Sequence, residues 1–575
     1  MRLKATAPLR RLAHDEHGFT MIFALMVMLV GSLLATAAFV ATNEDVSLNR
    51  SYTSSQKAYF AALAGVDEYK FQLTANPNYW LTCPAAENPV TKGVKVPVPG
   101  ATEEEYAVKT IGANGHPACT ANVQATIIET SGTASGTFRV EATGYSGGKE
   151  RSIVATFTHP GFLNYAWEDN FEVEDPSTFE PAPLHCAFYY NERKEISEGK
   201  KEVEGKKLPK ELAECPPIPF IAGDEINGPF HTNDSVDICS FGGSPSFGRE
   251  KHKPPDKLEF NGGHYESSTF GCGGSLELFG AYTEEGPTLF PPSTDNELLE
   301  TATVKTKGRT VIELESNHTP NTMTVTTYNF TTKKFVTEKE RAWPTNGVFY
   351  AANEGTCVAK YSPFVANKNY EKDETEPNCG NIYVKGSYTE SLTIAAQKDV
   401  IVIGNITTTH ETSGSEINKP LGNATLGLIA NGFVRIYHPV TVSGGTQERK
   451  KCGSGSTNMT EASDPRKWGS LKNPIIDAAI LSTNNSWIVD NFNCGAELGT
   501  LTVWGVIAQY WRGRVTGGIT EGGGGYLKSY NYDERLKSKQ PPNFLSPTTT
   551  DWKITRETQP CEGKTVSEGG RCPVL

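Results

Sequence analysis

Between Phe19 and Thr42 the chain reads FTMIFALMVMLVGSLLATAAFVAT, 24 residues without a charge. As an α-helix this run extends about 36 Å, more than the ~30 Å hydrocarbon core of a bilayer. Left in water it would expose a large apolar cylinder, so it either crosses a membrane or is removed. The leader Met1–Gly18 carries Arg2, Lys4, Arg10 and Arg11 against Asp15 and Glu16, and Glu44 and Asp45 follow the run. Basic residues are retained on the cytoplasmic side. The expected topology is a single pass with the N-terminus in the cytoplasm and the rest of the chain outside.

Three fates of the segment fit this pattern. A secretory signal peptide would be cut at the small-residue site Ala35-Thr36-Ala37. A plain anchor would stay uncut. In the third, the hydrophilic leader is cut before the apolar run, after a glycine, and the apolar run remains as the first half of a long helix. His17-Gly18-Phe19-Thr20 puts a Gly-Phe junction at the polar-to-apolar boundary. Tyr59, Leu63, Val66, Tyr69 and Leu73 continue at helical spacing past the membrane, and no Gly or Pro interrupts residues 32–64. A signal peptide needs no such continuation, and these features favour the third fate.

The residues GFTMIFALMVMLV, followed by QKAYFAALAGVDEYKFQL, resemble the start of PilX-type minor pilins and of the large pseudopilins of type II secretion. Ala58, Ala61, Ala62, Ala64 and Gly65 correspond to the alanine-rich stretch of that class. The resemblance covers about a tenth of the chain. It implies cleavage by a prepilin peptidase between Gly18 and Phe19, and an assembly face on Met21, Phe23, Leu25, Leu29 and Leu33. It further implies other pilins and the pilus assembly machinery as partners, and a membrane-inserted subunit that can enter a filament. Most pilins of the class carry a glutamate at the fifth mature position, which pairs with a neighbour's N-terminal amine. Counted from Phe19, the fifth residue here is Phe23. Large pseudopilins that cap a filament also lack that glutamate, so the departure points to a tip or initiating subunit.

The remaining 500 or so residues exceed what one core organises. The chain's 55 glycines and 35 prolines, nearly all of them there, favour turns and short strands. The fold class expected is α+β: a long N-terminal transmembrane and assembly helix, then a mostly β body. The divisions expected are a leader (1–18), the helix (19–75), a small pilin-like antiparallel sheet (76–160), a charged loop-rich connector (161–215), a β-solenoid or β-helix (216–550) and a C-terminal tail (551–575). Strand alternation in AVKTIG, VQATIIETSG, FRVEATGYSGG and RSIVATFTH marks the small sheet. For the solenoid the evidence is a recurrence of short apolar strands, at Ile382–Val384, Leu392–Ile394, Val400–Ile403, Leu426–Ile429, Phe433–Tyr437, Ile475–Ile480, Trp487–Val489 and Leu501–Ile507. Starts lie roughly ten residues apart where no insertion intervenes. A β-sandwich is the rival architecture.

Twelve cysteines lie beyond the apolar run: Cys83, Cys119, Cys186, Cys215, Cys239, Cys272, Cys357, Cys379, Cys452, Cys494, Cys561 and Cys572. No two form a CxxC, so zinc and c-type haem signatures are absent from the sequence. An even number after a membrane segment reads as disulfides in an oxidising compartment, with neighbours in sequence able to pair one after another. The net charge is −12, and the leader contributes +2, leaving −14 without it. That balance repels phosphate backbones, and no nucleic-acid partner is expected.

No catalytic constellation, cofactor or metal is expected. Gly144-Tyr-Ser146-Gly-Gly148 matches GxSxG in letters, but it falls between two strands, where a hairpin turn belongs. The glycine-rich stretch Glu521–Tyr526 lacks the strand–loop–helix setting of a phosphate cradle. Asp399, Asp477 and Asp490 lie beside predicted strands. A pair of them within ~5–10 Å would be the minimum for a surface-anchored polysaccharide-acting enzyme, the alternative function. Arg449, Lys450 and Lys451, with Arg466, Lys467 and Trp468, are solvated-loop residues that would otherwise touch an acidic polymer.

Overall fold

A computed structural model describes residues 19–75, 95–111, 137–158, 161–178, 185–207, 215–268, 271–358, 360–364, 377–413, 416–441, 457–458, 468–517, 524–537, 539–548 and 553–558. They divide into two compact units, the second of which is essentially Thr158–Lys553. The chain therefore leaves the first unit, builds the second, and returns.

The first unit is one helix and one sheet. The helix Phe19–Ala75 runs unbroken for 57 residues. It is apolar and long enough to cross a membrane. The sheet has the order Val96–Pro97, Glu105–Ile111, Thr137–Ser146, Lys149–Thr158, Lys553–Thr558. Its first three strands pair antiparallel. The next connection is a tight turn with Gly147 at φ +52° and Gly148 at φ +74°, the left-handed pair that a two-residue hairpin requires. The last strand comes from residues expected as a tail. The segment VQATIIETSG lies outside the described residues.

On the C-terminal half of the helix, Ala58, Ala61, Ala62, Val66, Tyr69 and Leu73 recur at three- and four-residue intervals and are buried. Tyr69 lies 5.6 Å from Phe157 of the sheet. The alanines matter because the sheet backbone comes to the helix backbone itself. A Cβ on Gly144 would stand 2.0 Å from the Ala58 carbonyl oxygen and 2.4 Å from the Ala62 nitrogen. Lys57 pairs with Glu104 at 2.8 Å, and Arg151 donates to the Ser55 hydroxyl at 2.7 Å. Both contacts are exposed and add little.

The second unit is built from parallel ladders. The longest stacks, in spatial order, Gly280–Thr283, Asp256–Phe260, Phe230–Thr232, Trp167–Glu174, Thr500–Arg512, Ile475–Ser482, Leu426–Ala430, Leu392–Ala396, Val348–Ala352 and Val304–Lys307. A second runs through Glu277–Leu278, Ser246–Phe247, Glu225–Asn227, Leu527–Tyr532 and the first half of Thr500–Arg512. A third joins Thr310–Glu315, Ile382–Ser387, Val400–Thr407, Val434–Ile436 and Trp487–Val489. All eight strands anticipated between residues 382 and 507 are present and lie in these ladders.

The order is not the order of the sequence. The chain enters at Trp167–Glu174 in the middle of the longest ladder and builds outward to Gly280–Thr283. Residues 284–303 then carry it to the other end, Val304–Lys307, and it builds back until Thr500–Arg512 pairs with the first strand. Asparagines flanking three of the ladder strands hold the crossing segment. Asn233 accepts from the Leu289 N–H at 3.1 Å, Asn431 from the Asp295 N–H at 2.8 Å, and Asn346 donates to the Thr301 carbonyl at 2.6 Å.

Two stretches differ from the sequence reading. Residues 161–215 were expected as connector, yet Trp167–Glu174 is a ladder strand with a neighbour on each side; its apolar alternation is masked by the acids of WEDNFEVE. Within the charged stretch the helix Tyr190–Ser197 forms. Arg193 and Ile196 give it a buried face, Arg193 pairs with buried Asp234 at 2.7 Å, and the Cys186–Cys215 disulfide closes its base. The hairpin Thr322–Asn329 and Lys334–Ala342, not anticipated, pairs antiparallel onto Thr310–Glu315. Its outer strand is exposed and charged, which discourages further edge pairing.

Gly144→Val is expected to force the sheet off the helix, at a cost of about 1–3 kcal/mol for overpacking. Hydrogen exchange on the detergent-solubilised chain should quicken at helix amides 58–73; unchanged exchange there would contradict the close approach.

Candidate functional site

The helix has two faces with different fates. Among the residues assigned to assembly, Met21 is 67% exposed and Phe23 62%, and Leu25, Leu29 and Leu33 are exposed likewise. So are Ile22, Met26, Val27, Met28, Val30, Leu34, Phe39 and Val40, on every side of the helix. Among the described residues nothing covers this half, and an apolar cylinder of that kind needs lipid or other helices around it. On the second half of the helix the face turned from the sheet still carries Phe60 and Phe71, both exposed. Gly18 lies outside the described residues; Phe19 is the first residue of the helix.

Three disulfides join sequence neighbours, Cys186–Cys215, Cys239–Cys272 and Cys357–Cys379. Cys494 is also disulfide-bonded. Cys83, Cys119, Cys452, Cys561 and Cys572 lie outside the described residues.

The acids singled out from the sequence are engaged in ion pairs. Arg435, buried, donates from Nη1 to Asp399 at 3.2 Å and from Nη2 to Asp490 at 2.8 Å. Its guanidinium sits 4.8 Å from the Tyr361 ring centre and 4.3 Å from that of Phe364. Burial pushes the Asp490 carboxyl up and Arg435 opposes that push. For Arg435 the attraction of the two carboxylates outweighs the cost of burial, and it stays charged. Asp477 contacts His410 Nε2 at 2.6 Å and accepts from the Thr408 N–H at 2.8 Å. Burial raises its pKa, and the histidine again opposes. Asp399 and Asp490 thus share one cation, whereas Asp477 belongs to another set.

The other sequence candidates resolve as turns or packing. Gly147 and Gly148 of the GxSxG match form the hairpin turn described above. Gly524 and Gly525 have φ of +94° and +69°, and Gly525 bridges to Thr516. Trp468 packs against Tyr383 and Tyr437, with ring centres 5.4 Å and 5.8 Å away. Arg449, Lys450, Lys451, Arg466 and Lys467 lie outside the described residues.

One charged cluster was not anticipated. Glu168, Asp169, Asn170 and Glu172, on the mid-ladder strand, are fully buried. Arg512 Nη1 lies 2.9 Å from Glu172, and its guanidinium lies 3.5 Å from the Phe220 ring centre. Nearby, Glu259 accepts from the Tyr165 hydroxyl at 2.7 Å and contacts His231 at 3.1 Å. Burial, reinforced by Glu172, pushes the Glu168 carboxyl well above the usual carboxylate range. A strand whose inward and outward positions both carry acids has no apolar alternation for sequence reasoning to find. The one available signal is Trp167, Phe171 and Val173 at period two. Among the described residues no group of three or more His, Cys, Asp or Glu is placed to hold a metal ion.

No protein-family model matches this chain, and no curated protein matches it. Among solved structures, the competence-associated pilin ComZ from Thermus thermophilus aligns with 88% of this chain and 98% of its own, at 10% identity and a TM-score of 0.25. That score is below the level at which shared topology carries an argument.

Arg435→Met would strand two buried carboxylates, and an expected loss of about 3–5 kcal/mol follows. Adding Asp399→Asn and Asp490→Asn should recover part of it. Denaturant midpoints of the three proteins test this; an Arg435→Met midpoint equal to that of the parent would rule out a structural role for the pair.

Proposed function

We propose that this chain is a minor pilin or pseudopilin-like subunit of a type IV pilus or a related filament. Its leader is removed between Gly18 and Phe19, its helix spans the cell membrane with the N-terminus cytoplasmic, and the β body is presented outside for adhesion or to initiate assembly. The observation that carries this reading is the division of one unbroken helix: its first half is exposed and apolar all round, and its second half is packed against a sheet through Ala58, Ala61, Ala62 and Gly144. A signal peptide or a simple anchor has no use for the second half. The disulfides support an oxidising location.

The parallel ladders, with turns of a few residues between them, support reading the body as a β-solenoid. We read it as a presenting surface, not an enzyme. Asp399 and Asp490 hold Arg435 between them and are spent on structure, which favours this over polysaccharide cleavage. Its size supports a low copy number. A compact body of about 400 residues has a radius of gyration near 21 Å, too broad to repeat at every position of a shaft of side-by-side helices. Phe23 supports the same position, because it offers no carboxylate to a neighbour's amine. The partners on this reading are smaller pilins, the assembly machinery and prepilin peptidase.

N-terminal sequencing of the protein from membranes should begin at Phe19; a start at Ala38 or an intact Met1 would refute processing of this kind. Immunogold labelling of sheared filaments should place the body at one end or at the envelope. Regular labelling along the shaft would defeat the tip position and leave the processing result untouched.

A further inference from the structure

The strand Leu527–Tyr532 alternates exposed and buried positions, and its buried side carries Lys528, Tyr530 and Tyr532. Two tyrosines are ordinary occupants of such a face, whereas a lysine is not. The strand pairs in parallel with Glu225–Asn227, with Ser529 opposite Glu225 and Tyr530 opposite Ile226. One step earlier in the same register stand Lys528 and Asp224. Both side chains are 5% exposed, and Lys528 Nζ lies 2.7 Å from Asp224 Oδ2.

We propose that Lys528 and Asp224 become joined by an amide bond between Nζ and the side-chain carboxyl, a covalent cross-link between residues 304 positions apart in the chain. Three features of the site favour it. An ammonium has three donors, yet the hydrogen bond to Asp224 is the one that Nζ makes among the described residues. An amide nitrogen has a single N–H and fits such a position better. The Asp224 carboxyl is held still, since Oδ2 also accepts from the Ile221 N–H at 3.1 Å. The surroundings are aromatic and shielded from water, with the Phe220 ring centre 5.8 Å from Nζ. Burial, reinforced by the Arg512 cation, lowers the Lys528 pKa, although Asp224 opposes this. Such a shift increases the share of neutral, nucleophilic amine.

The reaction is a condensation and needs no oxidant or reductant. A proton passes along the hydrogen bond from the Nζ ammonium to the Asp224 carboxylate; the freed Nζ lone pair attacks Cγ of the resulting acid, and the N–C bond forms. The C–O bond to the hydroxyl breaks, a proton from nitrogen goes to that oxygen, and water leaves. Two buried, weakly solvated charges are replaced by a neutral amide, which removes the desolvation cost that a buried ion pair carries. The position is mechanically apt. Lys528 belongs to the last ladder strand and Asp224 to the start of an early one, so the bond would fasten the end of the second unit to its beginning.

Peptide mapping of the reduced and alkylated full-length chain, extracted in detergent, tests this. The expected result is a branched peptide containing both Asp224 and Lys528, lighter by about 18 Da than the sum of its two linear parts, one water. Lys528→Arg keeps a cation beside Asp224 but replaces the amine with a guanidinium. In that variant the branched peptide should vanish, and heated, reduced samples should migrate more slowly on denaturing gels as the unfolded chain loses its loop. Should that variant fail to fold, the map of the parent protein decides alone. Linear peptides covering Asp224 and Lys528 at their unmodified masses, with no branched species, would overturn the proposal and leave an ordinary buried ion pair.

Discussion

The second unit depends on one strand pairing. Trp167–Glu174 and Thr500–Arg512 are neighbours in the longest ladder, in parallel register from Trp167 opposite Ile507 to Glu174 opposite Arg512. Without it the ladder would be two shorter stacks, one starting at Trp167–Glu174 and one ending at Thr500–Arg512, with unpaired edges at residues 167–174 and 507–512. Such edges expose rows of N–H and C=O groups and invite pairing with other chains. The pairing closes that gap from residues more than 300 positions apart. Loop-closure entropy makes it among the slowest contacts to form.

The seam is unusually polar. A mid-ladder strand with neighbours on both sides is normally apolar, yet this one buries Glu168, Asp169 and Glu172. The Glu172–Arg512 pair joins the two strands across the seam, and Arg193 with Asp234 covers it under the disulfide-closed segment. Buried ion pairs of this kind add little net stability against an apolar alternative. What they supply is register: the native alignment brings Arg512 to Glu172, and a shifted strand would separate them and leave two buried charges apart. The Lys528–Asp224 contact one ladder away acts in the same sense, since it too is satisfied in a single alignment.

The first unit follows a different physical rule. Its helix has two halves with different surroundings: one is exposed, apolar and long enough to cross a membrane, and the other is packed on a sheet. Close approach at Gly144 is possible because the facing helix positions are alanines, so the backbone comes nearer than larger side chains would allow. Because the sheet takes its last strand from residues 553–558, the second unit is inserted in the first rather than appended to it.

Much of this was written in the residues themselves. The helix, its length and its division into an apolar and an amphipathic half follow from uncharged residues 19–42 and the spacing of Tyr59 to Leu73. These depend on local composition and period, which a sequence displays directly. The strands between Ile382 and Ile507 were visible for the same reason, as short β-branched runs between turns. Disulfides between successive cysteines at 186 and 215, 239 and 272, and 357 and 379 were within reach, because short loops close most readily. The order of the ladders was not. That Trp167–Glu174 sits mid-stack, that Asp399 and Asp490 share Arg435, and that Lys528 meets Asp224 are facts about residues tens to hundreds of positions apart. Acids that look solvated in sequence became buried because a cation arrived from a distant strand. Only the tertiary structure decides such matches, because the free energy of burying a charge depends on its partner and not on its neighbours in the chain.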